Sequence, residues 1–362
     1  MIPFFLIALF IYVAMHYYVF RRITRDLCLP GRHRRLLAWL LVLLGLLFLA
    51  GHSRVLSGLR VIPYFGGFWL GCLAMACTVF ALKDLIQALT GRQARTLTRT
   101  ALGVLFSLVM VAYFNGNRLP RARFIDLPIP SLSASLDGLR LVHLSDLHLG
   151  RTNGVQQLTR VVERTCRLHP DLVLITGDLV DKDISNSPEF VRQLQRLRGV
   201  YGTYAVPGNH DNYADIAGFH RLCRRAGIQV LSNQGVYAAP GLYVAGVEDP
   251  ATRGGSPGPD TDKALAGGED AALTILLNHR PVGFYQAVRK GVDLQLSGHT
   301  HGGQIPPMDL IVYLYYPHSH GLYRRGSAFL YTSCGTLTWG PPMRLFTLNE
   351  IVCIRLTCGK TP

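Results

Sequence analysis

Residues 139–148 read LRLVHLSDLH and set the pattern from which the fold of this chain can be predicted. The short apolar run 139–144 is followed at once by two chemically active side chains, Asp146 and His148. An apolar run of this length that is bounded by polar residues is typical of a buried strand. We therefore expect Asp146 and His148 just beyond the end of a strand.

The same arrangement recurs four more times downstream. Predicted strands at 172–176, 204–206, 273–277 and 294–296 lead into polar clusters that contain Asp178 and Asp181, then Asn209, His210 and Asp211, then His279, then His299 and His301. The segments between them, such as 155–168 and 213–226, have helix-like composition. Strands that alternate with helices predict an α/β sheet with its ligands at the carboxyl ends of the strands. Oxygen and imidazole ligands without thiolate suit divalent cations of the Mn, Fe or Zn type.

These clusters resemble the motifs of the calcineurin-like metallophosphoesterases. The family pattern is Asp-x-His, Gly-Asp-x-x-Asp, Gly-Asn-His-Asp/Glu, a single His and Gly-His-x-His, and all five blocks occur here in that order. The resemblance extends from about residue 140 to the C-terminus. Segments 321–324 and 340–344 are similar to a membrane-anchored bacterial branch that includes a UDP-2,3-diacylglucosamine pyrophosphatase.

The resemblance implies two divalent metal ions, with manganese expected and iron or zinc as alternatives. The ligands that it implies are Asp146, His148 and His301 for one ion, Asn209, His279 and His299 for the other, and Asp178 for both. A hydroxide between the ions would attack phosphorus, because a shared carboxylate holds two cations about 3.5–4 Å apart. His210 would donate a proton, with Asp211 as the group that orients it. Asp181 has two interpretations, as support for a ligand or as a helix cap.

The stretch 310–325 follows the last of these ligands and is rich in aromatic, histidine and arginine side chains. It is interpreted either as an ordinary strand and loop or as a substrate wall. In a substrate wall, aromatic rings would contact a lipid or a nucleobase and arginine would bind a phosphate. The residues expected to bind substrate in that case are Tyr316, His318, His320, Tyr323 and Arg324.

The first third of the chain has a different character. The whole chain carries a net charge of +15, but residues 1–123 hold 15 Lys and Arg against two acids, which leaves +2 for the rest. So small a charge on the C-terminal part disfavours nucleic acid as a partner. Four uncharged runs at 2–20, 36–53, 61–82 and 101–117 are each close to the ~20 residues that span a bilayer.

Basic residues in the connecting segments predict the orientation of these spans. Segments 21–35 and 83–100 share one side if all four runs cross, and together they hold 10 Lys and Arg against 5 in segments 51–60 and 118–123. The side with more basic residues is expected to be cytoplasmic, which places the C-terminal domain on the extracytoplasmic face. If one run does not cross, that domain is cytoplasmic. Gly66, Gly67 and Gly71 are expected to let helices approach one another closely.

We therefore expect an α/β/β/α sandwich of two packed mixed sheets flanked by helices, preceded by an N-terminal bundle of about four transmembrane helices. The expected division is a membrane module over 1–118, a linker rich in Pro and Ser over 119–138, and a phosphoesterase domain over 139–362. The predicted function is hydrolysis of a phosphomonoester or phosphodiester in a lipid or lipid-linked substrate, at a bacterial inner membrane.

Two alternatives stay open. One is the UDP-2,3-diacylglucosamine pyrophosphatase of lipid A synthesis, which requires a cytoplasmic domain. The other is a membrane receptor or scaffold with a catalytic domain that no longer works. The second alternative is disfavoured because every ligand position of the family pattern is filled in this sequence.

Overall fold

The structure, a computed structural model, describes residues 2–51, 61–130, 132–150, 152–251 and 258–359. The chain divides into two units. The helical unit comprises Met1–Asn117, Gly303–Ile311 and Gly340–Phe346, and the sheet unit comprises Arg118–Gly302, Val312–Trp339 and Thr347–Pro362. Two short stretches from the C-terminal part of the sequence therefore pack with the N-terminal helices.

The helical unit is built from four long apolar helices. They are α1 (Ile2–Asp26), α2 (Gly31–Gly51), α3 (Val61–Thr90) and α4 (Ala94–Asn117). Within the described residues these four are long and apolar enough to cross a membrane, which confirms the predicted bundle. The helices continue past the uncharged runs, because helical geometry does not end where the bilayer does. For example, α1 runs beyond Phe20 to Asp26 and α3 runs beyond Leu82 to Thr90.

A buried polar network joins three of these helices. Lys83 of α3 forms an ion pair with Asp26 of α1, and both side chains are almost fully buried. The hydroxyl of Thr98 of α4 donates a hydrogen bond of 2.8 Å to the same carboxylate. A buried charge is tolerated when it is paired and its remaining hydrogen-bonding capacity is satisfied. The network therefore fixes the end of α1 against α3 and α4.

Glycines of α3 and α4 accommodate two different neighbours. A Cβ on Gly66 would lie 2.8 Å from Cα of Phe48 in α2, so this glycine permits the predicted helix approach. A Cβ on Gly71 would lie 2.7 Å from Sδ of Met343, and one on Gly116 would lie 2.6 Å from Cα of Met343. A Cβ on Gly67 would lie 2.7 Å from the carbonyl oxygen of Gly340. The expectation of a close helix approach is therefore wrong for Gly67 and Gly71, because their neighbour is the stretch Gly340–Phe346 rather than another helix.

The sheet unit contains twelve strands in its described residues. They are β1 (Arg121–Pro128), β2 (Arg140–Leu144), β3 (Leu172–Thr176), β4 (Thr203–Val206), β5 (Gln229–Val230), β6 (Gln234–Ala239), β7 (Leu242–Gly246), β8 (Leu273–Leu277), β9 (Leu294–Ser297), β10 (Gly321–Arg325), β11 (Ala328–Thr332) and β12 (Glu350–Thr357). One six-stranded sheet has the order β1-β12-β2-β3-β4-β5 and the other has the order β10-β11-β9-β8-β7-β6. Both sheets are mixed: β2, β3, β4 and β5 are parallel, while β12 is antiparallel to β2.

Outside the bundle, the described residues form six α-helices: α5 (Val155–Cys166), α6 (Pro188–Leu194), α7 (Asn209–Ala226), α8 (Thr261–Leu265), α9 (Phe284–Arg289) and α10 (Met308–Tyr315). Helices α5, α6 and α7 cover the outer face of the first sheet, and α8 and α9 cover part of the second. Between the sheets lies a core of apolar side chains such as Leu141, Leu174, Val244 and Ile275, all fully buried. The predicted α/β/β/α sandwich is confirmed.

The segment expected to be a linker differs from that expectation. Strand β1 pairs in parallel with β12 from Arg121 to Pro128, so most of this segment belongs to the first sheet. Pro120, Pro128 and Pro130 favour a linker, but Pro120 and Pro130 flank the strand and Pro128 is its last residue. Proline is compatible with an edge strand, where one side of the backbone makes no ladder hydrogen bonds.

Candidate metal centre

The five polar clusters lie at the carboxyl ends of β2, β3, β4, β8 and β9. Asp146 stands two residues after β2, Asp178 two residues after β3, His279 two residues after β8 and His299 two residues after β9. Asn209 begins α7, which follows β4. Because parallel strands of a sheet end at a common edge, this placement brings the side chains together.

Most of the candidate ligands have an unusual backbone conformation. Five of them have positive φ angles: Asp146 (55°), His148 (46°), Asp178 (51°), His299 (72°) and His301 (50°). Residues other than glycine rarely adopt this left-handed region, which costs free energy. Such a concentration at one place indicates a functional site, because folding alone does not favour it.

The first group of side chains consists of Asp146, His148 and His301, which are all buried. Nε2 of His148 lies 3.1 Å from Nε2 of His301. Nε2 of His301 lies 3.5 Å from Oδ1 of Asp146. The three ligands that the family resemblance implies for one ion are therefore adjacent.

The second group contains Asp178, His279 and His299, with Asn209 beside them. Nε2 of His279 lies 3.1 Å from Oδ1 of Asn209 and 3.1 Å from Nδ1 of His299. It also lies 3.3 Å from Oδ2 of Asp178. The same Asp178 oxygen is 3.8 Å from Nε2 of His148, so this carboxylate lies between the two groups.

The chemistry of these contacts fits a cation. Nδ1 of His279 lies 2.8 Å from the carbonyl oxygen of Thr176, which only accepts, so Nδ1 carries a proton and Nε2 is the nitrogen that could bind a cation. Nε2 faces an amide oxygen, a carboxylate oxygen and another imidazole nitrogen. Two ligand atoms about 2.1 Å from one cation lie about 3.0–3.4 Å apart, which matches the separations found here. The residues therefore fit divalent metal ions held by nitrogen and oxygen donors.

Protons compete with a cation for the same imidazoles. Burial lowers the pKa of His279, but the charges of Asp178 and Asp146 outweigh burial and raise it to about 10. Burial likewise lowers the pKa of His148, while Asp181 and Asp178 raise it to about 9. Without metal, both imidazoles are therefore protonated at neutral pH.

We expect the apparent affinity for Mn²⁺ to rise with pH, up to about 9 at the group that contains His148 and up to about 10 at the group that contains His279, since each cation must displace one proton from its imidazole. Displacement of one proton corresponds to a rise of up to about 10-fold per pH unit at each group. Calorimetric titration of the chelator-treated chain, in buffers of different ionisation enthalpy, counts the protons that are released. An affinity that does not change with pH would contradict this assignment of the ligands.

His210 is held by a different carboxylate from the one expected. Nδ1 of His210 lies 2.9 Å from Oδ1 of Asp181, and the same oxygen lies 2.8 Å from Nδ1 of His148. Asp211 instead accepts hydrogen bonds from the backbone N–H groups of Val180 and Gly208, at 2.9 and 2.8 Å. The prediction that Asp211 orients His210 is corrected to Asp181, because Asp211 caps the start of α7. Of the two interpretations of Asp181, the structure favours support of a ligand.

Three residues near the site were missed by the sequence analysis. The ring of Trp339 lies 5.2 Å from that of His210, and the ring of Tyr213 lies 5.8 Å from it. Arg280, the neighbour of His279, makes a paired contact with Asp249 at 2.7 and 2.9 Å. Trp339 follows a Gly-Thr-Leu-Thr stretch that belongs to no recognised motif, so the sequence gives no sign that it lies beside His210.

Of the five residues expected to form a substrate wall, Tyr316 contacts a candidate ligand and the others contact one another or their sequence neighbours. Tyr316 contacts a candidate ligand, with its ring 5.5 Å from that of His299. His318 packs against Tyr323, with ring centroids 4.7 Å apart. His320 contacts its neighbour Ser319. Arg324 donates to the carbonyl oxygen of Gly326 in its own hairpin, which directs it to the turn between β10 and β11.

The glycine before Asn209 is required by the position of Asp178. A Cβ on Gly208 would lie 2.2 Å from Oδ1 and 2.4 Å from the backbone nitrogen of Asp178. We expect Gly208→Ala to displace this carboxylate and to weaken metal binding and hydrolysis about 10–100-fold, the range found for disturbed supports of metal ligands. Metal content and the rate of phosphoester hydrolysis measure the effect.

Gly103→Ala in α4 is the control for that substitution, because nothing lies within 4 Å of the added Cβ. This variant should bind metal and hydrolyse substrate as the unchanged chain does. If Gly208→Ala matched it in both measurements, the close approach of Gly208 to Asp178 would have no functional role.

Comparison with known proteins places this geometry in a family. The model of the calcineurin-like phosphoesterase family matches residues 139–303. The chain is 34% identical to a transmembrane protein with metallophosphoesterase domain from Danio rerio, over 83% of this chain and 71% of that protein. It is 33% identical to a protein of the same description from Bos taurus, over 84% of this chain and 75% of that protein.

A bacterial relative matches over nearly its whole length. The chain is 30% identical to an uncharacterized metallophosphoesterase from Campylobacter jejuni, with 98% of each chain covered. The relatives thus include vertebrates and bacteria, so they do not support a restriction to the bacterial branch. The matched region contains all five motif clusters, and four helices suited to a membrane precede it. The chain is a membrane protein that belongs to the calcineurin-like phosphoesterase family.

Proposed function

We propose that this chain is a membrane-anchored phosphohydrolase with two divalent metal ions that cleaves a phosphoester in a lipid or lipid-linked substrate. The observation that carries the proposal is the position of Asp178. One carboxylate oxygen lies 3.3 Å from His279 and 3.8 Å from His148, members of the two ligand groups. A carboxylate shared in this way is typical of centres that hold two cations close together.

Different residues of the chain would have different roles in such a reaction. Bound divalent ions would neutralise the phosphoryl oxygens and lower the pKa of a water molecule. Asp178 would fix the spacing of the two ligand groups, and its Oδ1 accepts a hydrogen bond of 2.8 Å from the backbone N–H of His210. Because Asp181 engages Nδ1 of His210, Nε2 is the nitrogen left to give a proton to a phosphoryl or leaving-group oxygen.

A lipid substrate is supported by the membrane helices. A water-soluble ester reaches any aqueous site, so four spanning helices serve a hydrolase best when its substrate is itself in the membrane. The proposed location is a bacterial inner membrane with the domain on the extracytoplasmic face, which rests on the 10 to 5 distribution of basic residues. Manganese is the proposed metal, and nucleic acid is not a proposed substrate.

The test uses the full chain in lipid nanodiscs. The chain is stripped of metal, reloaded with Mn²⁺ and assayed with bis(p-nitrophenyl) phosphate, p-nitrophenyl phosphate and nanodiscs that contain phosphatidic acid or phosphatidylglycerol phosphate. Hydrolysis that requires Mn²⁺ and is faster with a lipid ester supports the proposal. Binding of two metal ions without hydrolysis of any of these esters would favour the receptor or scaffold alternative.

A further inference from the structure

We propose that α10 is an interfacial helix that lies against the lipid surface and receives the apolar part of the substrate. The inference rests on the proposed function for the identity of the substrate. It rests on the helix itself for the contact with lipid, and the two parts can be tested separately.

Helix α10 is apolar in composition and exposed. Its sequence is MDLIVYLY, it contains one charged residue, and none of its side chains is buried. Leu314 is 74% exposed and Tyr315 is 76% exposed. A contiguous apolar surface of this kind marks a contact with a partner or a membrane. Tyrosines mixed with aliphatic residues are typical of the membrane–water interface, where the hydroxyl group contacts water and the ring contacts lipid.

The chain just before α10 is fixed among the membrane helices. Ile305 belongs to a buried cluster with Met75 of α3, Ala112 of α4 and Met343. Since Met308 starts α10 three residues after Ile305, chain length alone keeps Met308 within about 11 Å of Ile305. The start of α10 is therefore continuous with a surface that is already in the membrane.

Hydrogen bonds join the stretch before α10 to the stretch Gly340–Phe346, and join that stretch to α4. The side-chain amide of Gln304 donates to the carbonyl oxygen of Pro341 at 2.8 Å, and the N–H of Leu345 donates to the carbonyl oxygen of Gln304 at 2.8 Å. The N–H of Arg344 donates to the carbonyl oxygen of Ala112 in α4 at 2.8 Å. These bonds, with the close approach of Gly71 and Gly116 to Met343, make the stretch before α10 part of the membrane module rather than a free loop.

The other end of α10 reaches the candidate metal centre. The N–H of Tyr316 bonds to the carbonyl oxygen of Val312, so Tyr316 continues the last turn of the helix. Its ring is 5.5 Å from that of His299. The apolar side chains of the last turn of α10 therefore lie on the same unit as His299, where they can contact the apolar part of a lipid whose phosphate is near His299.

The occupant we propose is a lipid of the bilayer rather than a second copy of this chain. The packing of Ile305 against α3 and α4, directly before α10, favours lipid as the occupant. A dimer contact would leave the aliphatic residues of α10 covered by protein, and it is one of the outcomes that the experiment separates.

The first test is photolabelling in nanodiscs. A phosphatidylcholine with a diazirine near the glycerol end of one acyl chain is irradiated with the metal-loaded full chain, and labelled peptides are identified by mass spectrometry. We expect label on α10 and, as a positive control, around Trp39 of α2. Val200, which is 78% exposed in the sheet unit before β4, is the matched negative control.

Each outcome of the labelling decides the inference without reference to catalysis. Label on α10 that is absent at Val200 supports it. An unlabelled α10, or crosslinks between two copies of α10, would overturn it even if the chain hydrolyses lipids. Labelling with no hydrolysis would keep α10 as a lipid contact and remove the proposed function.

The second test is the double variant Leu310→Gln/Leu314→Gln, whose side chains lie one turn apart on the helix. We expect the ratio of lipid-ester to bis(p-nitrophenyl) phosphate hydrolysis to fall roughly 10-fold or more, because two exposed leucines lose their apolar contact with the substrate. Val200→Gln removes an equally exposed apolar side chain and should leave that ratio unchanged. Equal ratios in both variants would overturn a role of α10 in receiving lipid.

Discussion

Asp178→Asn is expected to reduce phosphoester hydrolysis on the order of 10³-fold or more and to remove at least one metal ion. The substitution keeps the shape of the side chain but removes the negative charge between His148 and His279. Metal ions contribute several kcal/mol of charge stabilisation in such reactions, and about 4 kcal/mol corresponds to about 10³ in rate. The value of kcat/KM and the metal content of the purified variant measure the two effects.

Asp183→Asn is the matched control for this experiment. Asp183 lies five positions further along the same polar segment, and its carboxylate pairs with Arg221 at 3.1 Å on the surface. Exposed ion pairs contribute little, about 0–1 kcal/mol, so this variant should keep its metal and nearly all of its activity. Full activity of Asp178→Asn with a normal metal content would rule out the shared carboxylate and with it the proposed centre.

His210→Ala is expected to lower kcat about 10²–10⁴-fold while the metal content stays unchanged, as befits the loss of a proton donor. Metal binding should survive because the contact of His210 with Asp178 is made by the backbone N–H, which alanine retains. A decrease in metal content that parallels the decrease in kcat would instead identify His210 as a ligand. Single-turnover kinetics with metal-saturated protein separate the two cases.

The partner of His210 can be tested in the same assay. Asp181→Asn should lower the rate of hydrolysis about 10–100-fold, because this carboxylate contacts both His210 and His148. Asp211→Asn should cost less activity, since its carboxylate bonds to the backbone N–H groups of Val180 and Gly208. The reverse order would restore the original expectation that Asp211 orients His210.

Much of the sandwich could be predicted from the sequence because its buried parallel strands are continuous apolar runs. The predicted strands 172–176 and 273–277 coincide with β3 and β8, and the polar clusters follow them as expected. Parallel strands end at a common edge, so a list of strand ends already approximates a site. The seven candidate ligands are indeed brought together, although their roles stay predictions until metal binding is measured.

The parts that could not be predicted depend on tertiary packing. Strand β1 could not be predicted, because the prolines around it favour a loop and nothing in residues 121–128 indicates that β12 pairs with it. Helix α10 carries aliphatic and aromatic residues that suit a strand equally well, and no period distinguishes the two over eight residues. Asp211 adjoins His210 in sequence, whereas Asp181 belongs to the preceding polar cluster, and only the fold shows that Asp181 is the carboxylate that reaches the His210 ring.

The buried network of Asp26, Lys83 and Thr98 has a consequence for how the chain is inserted during synthesis. Asp26 ends α1 and Lys83 lies near the end of α3, so the two charges lie on the same side of the bilayer when α2 and α3 cross it in opposite directions. A chain in which either of these helices failed to cross would leave Lys83 and Asp26 in separate compartments, each without its counter-charge. The buried ion pair is thus a consequence of correct topology, because a chain in which only one of these two helices crosses cannot form it.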